Sequence, residues 1–401
     1  MQEIAVGTVG FARGATPRIL YICNDAGYFR AHRAHVAHRM ADEGWQVVVA
    51  SGGDRRLIDE FDSEPLNLLR ERVDIAADIG LMHALGRMIE ARKPDIVHLI
   101  TMKPVFFGLA ATLQMPRARR PAIVATFPGL GRVFEGRGLW PAIQRAATKA
   151  ILRRGLAGEA AHATFENDMD RARFVELNLV AQERTHTITG AGLQLKRFSG
   201  APMQTDPTAP LRVLWAARLI RGKGLDRFVE AARLSESRGV NARFLVAGFP
   251  DPGHPDNLSE AELEAARRER AIEFLGHVTD MDRLLGEVDA VCLPTRYNEG
   301  LPRILVETAA AGRVAIATDC AGCRAIVEDG KTGFLLPTGS AQEIVKCIAA
   351  LAANRELAAE MGRNATEAVR RRGFDEADVQ LSFARIYRMA LETRSHGMRG
   401  V

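Results

Sequence analysis

Two doubly wound α/β domains in tandem, each a parallel sheet covered by helices and together facing a cleft, are what this sequence predicts. Three observations carry that expectation. The chain has 401 residues, more than one ordinary core organises. Short continuous apolar runs alternate with helix-like stretches, the pattern of strands buried on both faces. A polar, proline-bearing stretch at 199–210 (SGAPMQTDPTAP) interrupts this alternation near the middle, after which it restarts.

The elements follow in order. Residues 1–16 lack an apolar signal core and read as a tail. A strand at 18–24 (RILYICN) leads into a helical stretch to about Glu43 and a strand at 46–51 (QVVVAS). Strands at 95–101 (DIVHLIT) and 122–127 (AIVATF) each follow a helix pattern. Beyond the linker, a strand at 212–217 (RVLWAA) precedes a helix to about Arg238. Further strands fall at 242–248, 289–294, 314–319 and 334–337, and helices near 341–353 and 355–371 close the domain. The last helical segment, about 375–394, fits either domain by pattern. The expected division is a tail at 1–16, a first domain at 17–200, a second at 201–372, and a C-terminal helix at 373–401 packing on the first.

Composition narrows the function. With 47% hydrophobic and 26% charged residues the chain is globular. No run of eighteen apolar residues is present to span a bilayer. Five scattered cysteines suit a reduced, cytoplasmic setting. Cys320 and Cys323 form a lone C-x-x-C, and without a second pair a zinc site is not expected. The net charge of +5 is unevenly placed: between Thr101 and Arg154, ten Lys and Arg stand against one acid, Glu135. Such an excess suits a phosphorylated substrate or an anionic membrane surface; a solvated basic face is the plainer reading. Nucleic acid is not an expected partner, since no binding motif accompanies the charge and aromatics are only 6%. There is no Walker sequence, and the glycines of GLGRVFEG (129–136) are misplaced for a dinucleotide fingerprint.

In open parallel sheets ligands bind beyond the carboxyl ends of the strands. The loop after 289–294 runs into RYNEGLPRILVE (296–307), with Leu301 or Pro302 expected in the first helical turn. The helix start offers unpaired N–H groups and a partial positive charge, an anion site. Glu299 in the loop can accept hydrogen bonds from hydroxyls, while Glu307 lies over a turn into the helix. The spacing suits a ligand with several hydroxyls and a phosphate, a sugar nucleotide. The alternative is that Glu299 caps the helix and Glu307 is solvated. Arg218 and Lys223 lie just beyond the 212–217 strand, with Gly222 and Gly224 loosening the turn, and two cations there suit a diphosphate. In the first domain, His32, His35 and His38 fan over about 120° and about 9 Å of an expected helix, which is poor for a shared metal. Lys103, at the end of DIVHLIT, is placed either to meet a phosphate or to start a surface helix.

ARLIRGKG, NEGLPRILVE with its E-x7-E pair, and ATDCAGCRAIVEDGKTGFLLP resemble the donor domain of retaining glycosyltransferases of family 4, which have the GT-B fold. YFRAHR, HLITMKPVFFGLAA, TFPGLGRVF, ATFENDMDRARFV and ITGAGLQLKRF resemble the subgroup that extends undecaprenyl-diphosphate-linked sugars in bacterial polysaccharide assembly. The likeness spans about residues 17–395. It implies that Arg218 and Lys223 neutralise a leaving diphosphate, that Glu299 holds the transferred sugar and Glu307 the ribose, and that Gly300 and Leu301 offer backbone N–H groups. It aligns His32 and Arg33 with a segment at the acceptor side, where Lys103 is a further candidate. It implies a nucleotide-sugar donor, UDP-linked, a polyprenyl-diphosphate-linked acceptor, no metal or other cofactor, and a peripheral place on the inner face of the cell membrane. Two positions depart from the pattern: Ala325 where relatives have glutamate, and Gln194 where aspartate is usual. A nucleotide-sugar 2-epimerase shares the architecture but not the glutamate pair, and a non-catalytic carbohydrate-binding homologue draws slight support from Ala325.

Overall fold

The computed structural model describes residues 16–66, 75–129, 139–198 and 202–399. The tail, nearly all of the 129–136 glycine run, and Arg132, Glu135 and Arg137 of the basic segment lie outside the described residues. The chain forms two compact units, one of residues up to Ala191 together with Ala377 onward, the other Gly192–Glu376.

The first unit is built on a parallel sheet of β1 (Arg18–Cys23), β2 (Gln46–Ser51), β3 (Asp62–Pro65), β4 (Ile96–Ile100), β5 (Ala122–Phe127), β6 (Ala161–Phe165) and β7 (Thr185–Thr187). Their spatial order is β3-β2-β1-β4-β5-β6-β7, all parallel, so the order in which strands are added reverses between β1 and β4. Ile19 lies between Val47 and Ile96 in register. Helices cover both faces, which is why β1, β4 and β5 read as continuous apolar runs.

The second unit repeats the plan with β8 (Leu211–Ala216), β9 (Ala242–Ala247), β10 (Ile272–Gly276), β11 (Ala290–Leu293), β12 (Val314–Thr318) and β13 (Gly333–Leu336), in the order β10-β9-β8-β11-β12-β13. Its reversal lies between β8 and β11. Trp215, Phe228, Phe244 and Ile316 fill one face of this sheet. Leu214, Leu245, Leu305 and Phe374 fill the other.

The sequence reading has no counterpart for β3, β6, β7 and β10. β3, β7 and β10 are edge strands; β3 (DSEP) and β7 (THT) carry no apolar run, and β10 (IEFLG) is short and mostly half-exposed or exposed. β6 (AHATF) is buried throughout although it carries polar residues, whose partners lie on neighbouring strands: Thr164 hydrogen-bonds Thr126 at 2.7 Å, and His162 Nδ1 lies 3.0 Å from His186 Nε2.

The expected single helix to Glu43 is two helices, Ala26–His32 and Ala34–Asp42. The break falls at Arg33 (φ −138°, ψ −13°), which turns its side chain into the core. The histidine fan drawn on one continuous helix therefore does not exist. His35 Nε2 meets the Ala191 carbonyl at 2.5 Å, and His38 faces Glu60 at 3.6 Å.

The C-terminal helix is Glu376–Arg399. Val379, Phe383, Tyr387 and Leu391 recur on one face and enter the core with Tyr21, Phe29 and Val124. Tyr387 Oη lies 2.7 Å from His98 Nδ1, and Arg388 pairs with Glu43 at 2.6 Å. Residues after Ala191 join the second unit ahead of the expected boundary at 200, because Leu193, Leu195 and Phe198 bury beside Leu293 and Phe374. No helix among the described residues is long and apolar enough to cross a membrane.

Candidate active site

The reversal between β8 and β11 places two loops side by side at the carboxyl ends of the strands. One follows β8 and carries Arg218 and the short 3₁₀ turn Arg221–Lys223. The other follows β11 and carries Thr295 to Pro302. Glycine decides how close they come. A Cβ on Gly222 would lie 2.1 Å from the Tyr297 ring, and one on Gly224 would lie 2.1 Å from the Pro294 carbonyl oxygen. Gly224 also has φ +75°, a left-handed conformation that costs other residues about 1–2 kcal/mol. Gly224→Ala is therefore expected to destabilise the protein by about 2 kcal/mol or more, read as a lower urea midpoint at unchanged slope.

The close approach joins the predicted residues. Lys223 Nζ lies 2.6 Å from Glu299 Oε1. Thr295 donates to the same oxygen at 2.7 Å. Both charged side chains are largely buried, at 15% and 12% exposed. Trp215 Nε1 donates to the Lys223 carbonyl at 3.1 Å, and the Arg296 N–H to the Gly222 carbonyl at 2.7 Å, which hold the turn in place. Arg218 is paired elsewhere: its Nη1 lies 2.6 Å from Asp251 Oδ2, on the loop after β9. Asp251 is itself oriented by its N–H donating to Asn257 Oδ1 at 2.8 Å.

The helix after Glu299 is Arg303–Ala310, with Pro302 at its cap rather than in its first turn. Gly300 and Leu301 thus belong to the loop. Glu307 sits one turn into the helix, only 8% exposed, where burial raises its carboxyl pKa against the pull of Arg303, 2.8 Å away. It is neither solvated nor beside Glu299 in any hydrogen bond shown.

The acceptor-side candidates belong to the first unit. His32 ends its helix with its ring stacked on Tyr28, centroids 4.1 Å apart, and Nδ1 donating to the Tyr28 carbonyl at 3.0 Å. Lys103 lies in the first turn of Met102–Gln114, at the carboxyl end of β4 and therefore at the reversal of that sheet. Arg33 is a correction. It is wholly buried, with its guanidinium 2.7 Å from the His32 carbonyl, 3.1 Å from Glu166 Oε1 and 5.4 Å from the Phe383 ring centre. A side chain so enclosed holds the core together rather than meeting an acceptor.

Sequence reasoning missed Asp251, Thr295, Tyr297 and Glu166. Asp251 had a signal: an acid in the turn-rich FPDPGHPDN directly after a strand. Thr295 and Tyr297 had none, because their role depends on which loop β11 brings beside β8. Among the described residues, no group of three or more His, Cys, Asp or Glu is arranged to hold a metal ion. A groove of about 900 Å³, lined by residues such as Met203, Arg313, Arg363 and Arg370, opens at the amino end of β12, the end of the sheet opposite these loops.

Comparison with known proteins places the chain as a whole. Residues 18–157 match the Glycosyl transferase 4-like model, and residues 204–368 match Glycosyl transferases group 1. The N,N'-diacetylbacillosaminyl-diphospho-undecaprenol alpha-1,3-N-acetylgalactosaminyltransferase of Campylobacter jejuni is 24% identical over 314 residues, 76% of this chain and 79% of that protein. The capsular polysaccharide biosynthesis glycosyltransferase CapM of Staphylococcus aureus is 21% identical over 334 residues, 80% and 84% of the two chains. Among solved structures, HepE of Anabaena, in complex with UDP and glucose, superposes with a TM-score of 0.71 at 17% identity over 92% of this chain and 98% of that one. With a Glycosyl transferase 4-like domain matched in the first unit and a Glycosyl transferases group 1 domain in the second, the chain belongs to the glycosyltransferases built of these two domains and has the GT-B fold.

Proposed function

We propose that this protein is a retaining glycosyltransferase of bacterial polysaccharide assembly that moves a sugar from a UDP-linked donor to a lipid-diphosphate-linked saccharide. The Lys223–Glu299 pair, held at 2.6 Å across two loops that only glycines allow to touch, is the observation that carries it. A cation and a carboxylate so positioned match a ligand with charge at one end and hydroxyls at the other.

In this reading the donor diphosphate lies against Arg218 and Lys223, and the helix that starts at Arg303 turns the positive end of its dipole toward it. Glu299 accepts hydrogen bonds from the sugar, Gly300 and Leu301 contribute backbone N–H groups, and Glu307 meets the ribose. Charge growing on the departing phosphate is stabilised by side chains already in place, so little reorganisation accompanies bond breaking. Protein cations take the part that a metal plays elsewhere. The acceptor hydroxyl attacks from the face the phosphate leaves, and that phosphate takes its proton, which retains configuration. His32 and Lys103 are the acceptor-side contacts, Lys103 as a point charge for the acceptor diphosphate. The lipid-linked acceptor follows the Campylobacter relative, the UDP donor follows HepE, and polysaccharide assembly follows CapM. The basic stretch from Thr101 to Arg154 supplies the attraction to an anionic membrane, about 1 kcal/mol per well-placed cation and weaker in salt.

The test is mass spectrometry of polyprenyl-linked saccharides incubated with the protein and a panel of UDP-sugars. One hexose or N-acetylhexosamine added to the lipid-linked acceptor, with release of UDP, is the expected result. Conversion of the free nucleotide sugar without an acceptor, or nucleotide binding with no donor consumed, overturns it.

A further inference from the structure

The C-x-x-C motif left aside by composition sits against the candidate donor site. Cys320 caps the short helix Ala321–Arg324 after β12 and Cys323 lies within it, their Sγ atoms 3.4 Å apart. Cys320 is partly exposed and Cys323 is fully buried. The intervening Gly322 presses on the Glu299 loop: a Cβ there would lie 2.2 Å from the Gly300 carbonyl oxygen and 2.5 Å from that of Glu299. No side chain cushions that contact, so movement of the cysteine turn is transmitted to the backbone that aims Glu299.

We propose that Cys320 and Cys323 form a thiol–disulfide site, closed by a small-molecule disulfide, whose closure displaces the Glu299–Gly300 loop and slows transfer. The last clause rests on the assignment of Lys223 and Glu299 to donor binding. The hydrogen bond with Cys323 lowers the Cys320 thiol to about 6, and the same contact pushes Cys323 well up. Cys320 is therefore the attacking thiolate and Cys323 the resolving thiol. Cys320 attacks one sulfur of glutathione disulfide and releases one glutathione thiolate. Cys323 then attacks the Cys320 sulfur of the mixed disulfide, giving up its proton, and releases the second glutathione. Two protein thiols and one glutathione disulfide become one protein disulfide and two glutathiones. Closure brings the sulfurs to about 2.05 Å, a contraction of roughly 1.3 Å that the packed turn passes to the loop.

The full chain is incubated with glutathione disulfide and followed in three ways: non-reducing mass spectrometry, hydrogen exchange of residues 295–303, and turnover. The expected results are an internal Cys320–Cys323 disulfide, altered exchange across 295–303, and a turnover lower by about tenfold or more that returns on reduction. Cys320→Ser removes all three responses, and Cys323→Ala leaves only a glutathione adduct on Cys320. Wild-type oxidation that stops at that adduct, or a disulfide that leaves 295–303 exchange unchanged, overturns the proposal. Should the reduced protein neither bind UDP nor transfer sugar, the donor-site reading fails on its own, and the exchange measurement still decides whether the cysteines move the loop.

Discussion

Lys223→Ala is expected to cut turnover by about 10²–10³, the usual loss when one preorganised donor to a developing oxyanion is removed. Lys223 lies 2.6 Å from Glu299 with both side chains largely enclosed, so the ammonium is fixed before the ligand arrives. A charge fixed in partial burial acts with less solvent screening than one on the surface. If it acts on the leaving diphosphate as bond breaking proceeds, kcat and kcat/KM fall together, whereas a residue that only grips the ground state raises KM alone. Arg218→Ala is expected to fall by a similar factor. Asp251 holds its guanidinium at 2.6 Å on a half-exposed surface, a pairing weak enough for a diphosphate to replace. Lys223→Ala also leaves Glu299 without its cation but not without a partner, since Thr295 still donates at 2.7 Å. The fold should therefore persist, and circular dichroism with urea titration separates lost chemistry from lost structure. Wild-type turnover from either variant removes that residue from the reaction.

How much of this was legible depends on where each residue's partners lie along the chain. The two parallel sheets were readable because buried strands are self-reporting: ILYIC, VAIAT and RVLWA are apolar without help from distant residues. Glu299 and Lys223 were readable because each follows a legible strand, and strand ends in such sheets are where ligands bind. The contact between them was not readable, since it joins residues 76 positions apart through a reversal that only the sheet order reveals. The glycines of RGKG read as loosening a turn. The structure shows a different cause, a shortage of space beneath Tyr297 and Pro294. Arg33 was misplaced for the opposite reason. The resemblance aligned it with an acceptor-side segment, and its burial depends on Glu166 and Phe383, which come from distant parts of the sequence.

Arg33→Met is expected to cost about 3–5 kcal/mol at pH 8, where the buried Glu166 carboxyl must either stay ionised without its partner or take up a proton to fold. Arg33 is fully enclosed, and Glu166 is only 8% exposed. Burial already pushes the Glu166 carboxyl up to about 7, against the opposing pull of Arg33. Removing Arg33 raises it further, so the carboxyl is protonated in the folded variant near neutrality. The sign of the pH dependence follows. A carboxyl whose pKa is higher folded than unfolded makes the native state bind more protons, so its contribution is fully present below the unfolded value near 4.5 and is lost as pH rises. For the wild type that loss runs from about 4.5 to about 7. In Arg33→Met it extends to higher pH, so the variant's deficit is larger at pH 8 than at pH 5. Glu166→Gln alone leaves the guanidinium buried against a neutral amide and also destabilises. The double variant Arg33→Met/Glu166→Gln removes both charges and should recover most of the loss, because the desolvation of two ions disappears with them. Urea titration of all four proteins at both pH values completes the cycle. A single-variant loss below about 1 kcal/mol, or a double variant no better than Arg33→Met, would show that the buried Arg33–Glu166 pair is not what holds this part of the core.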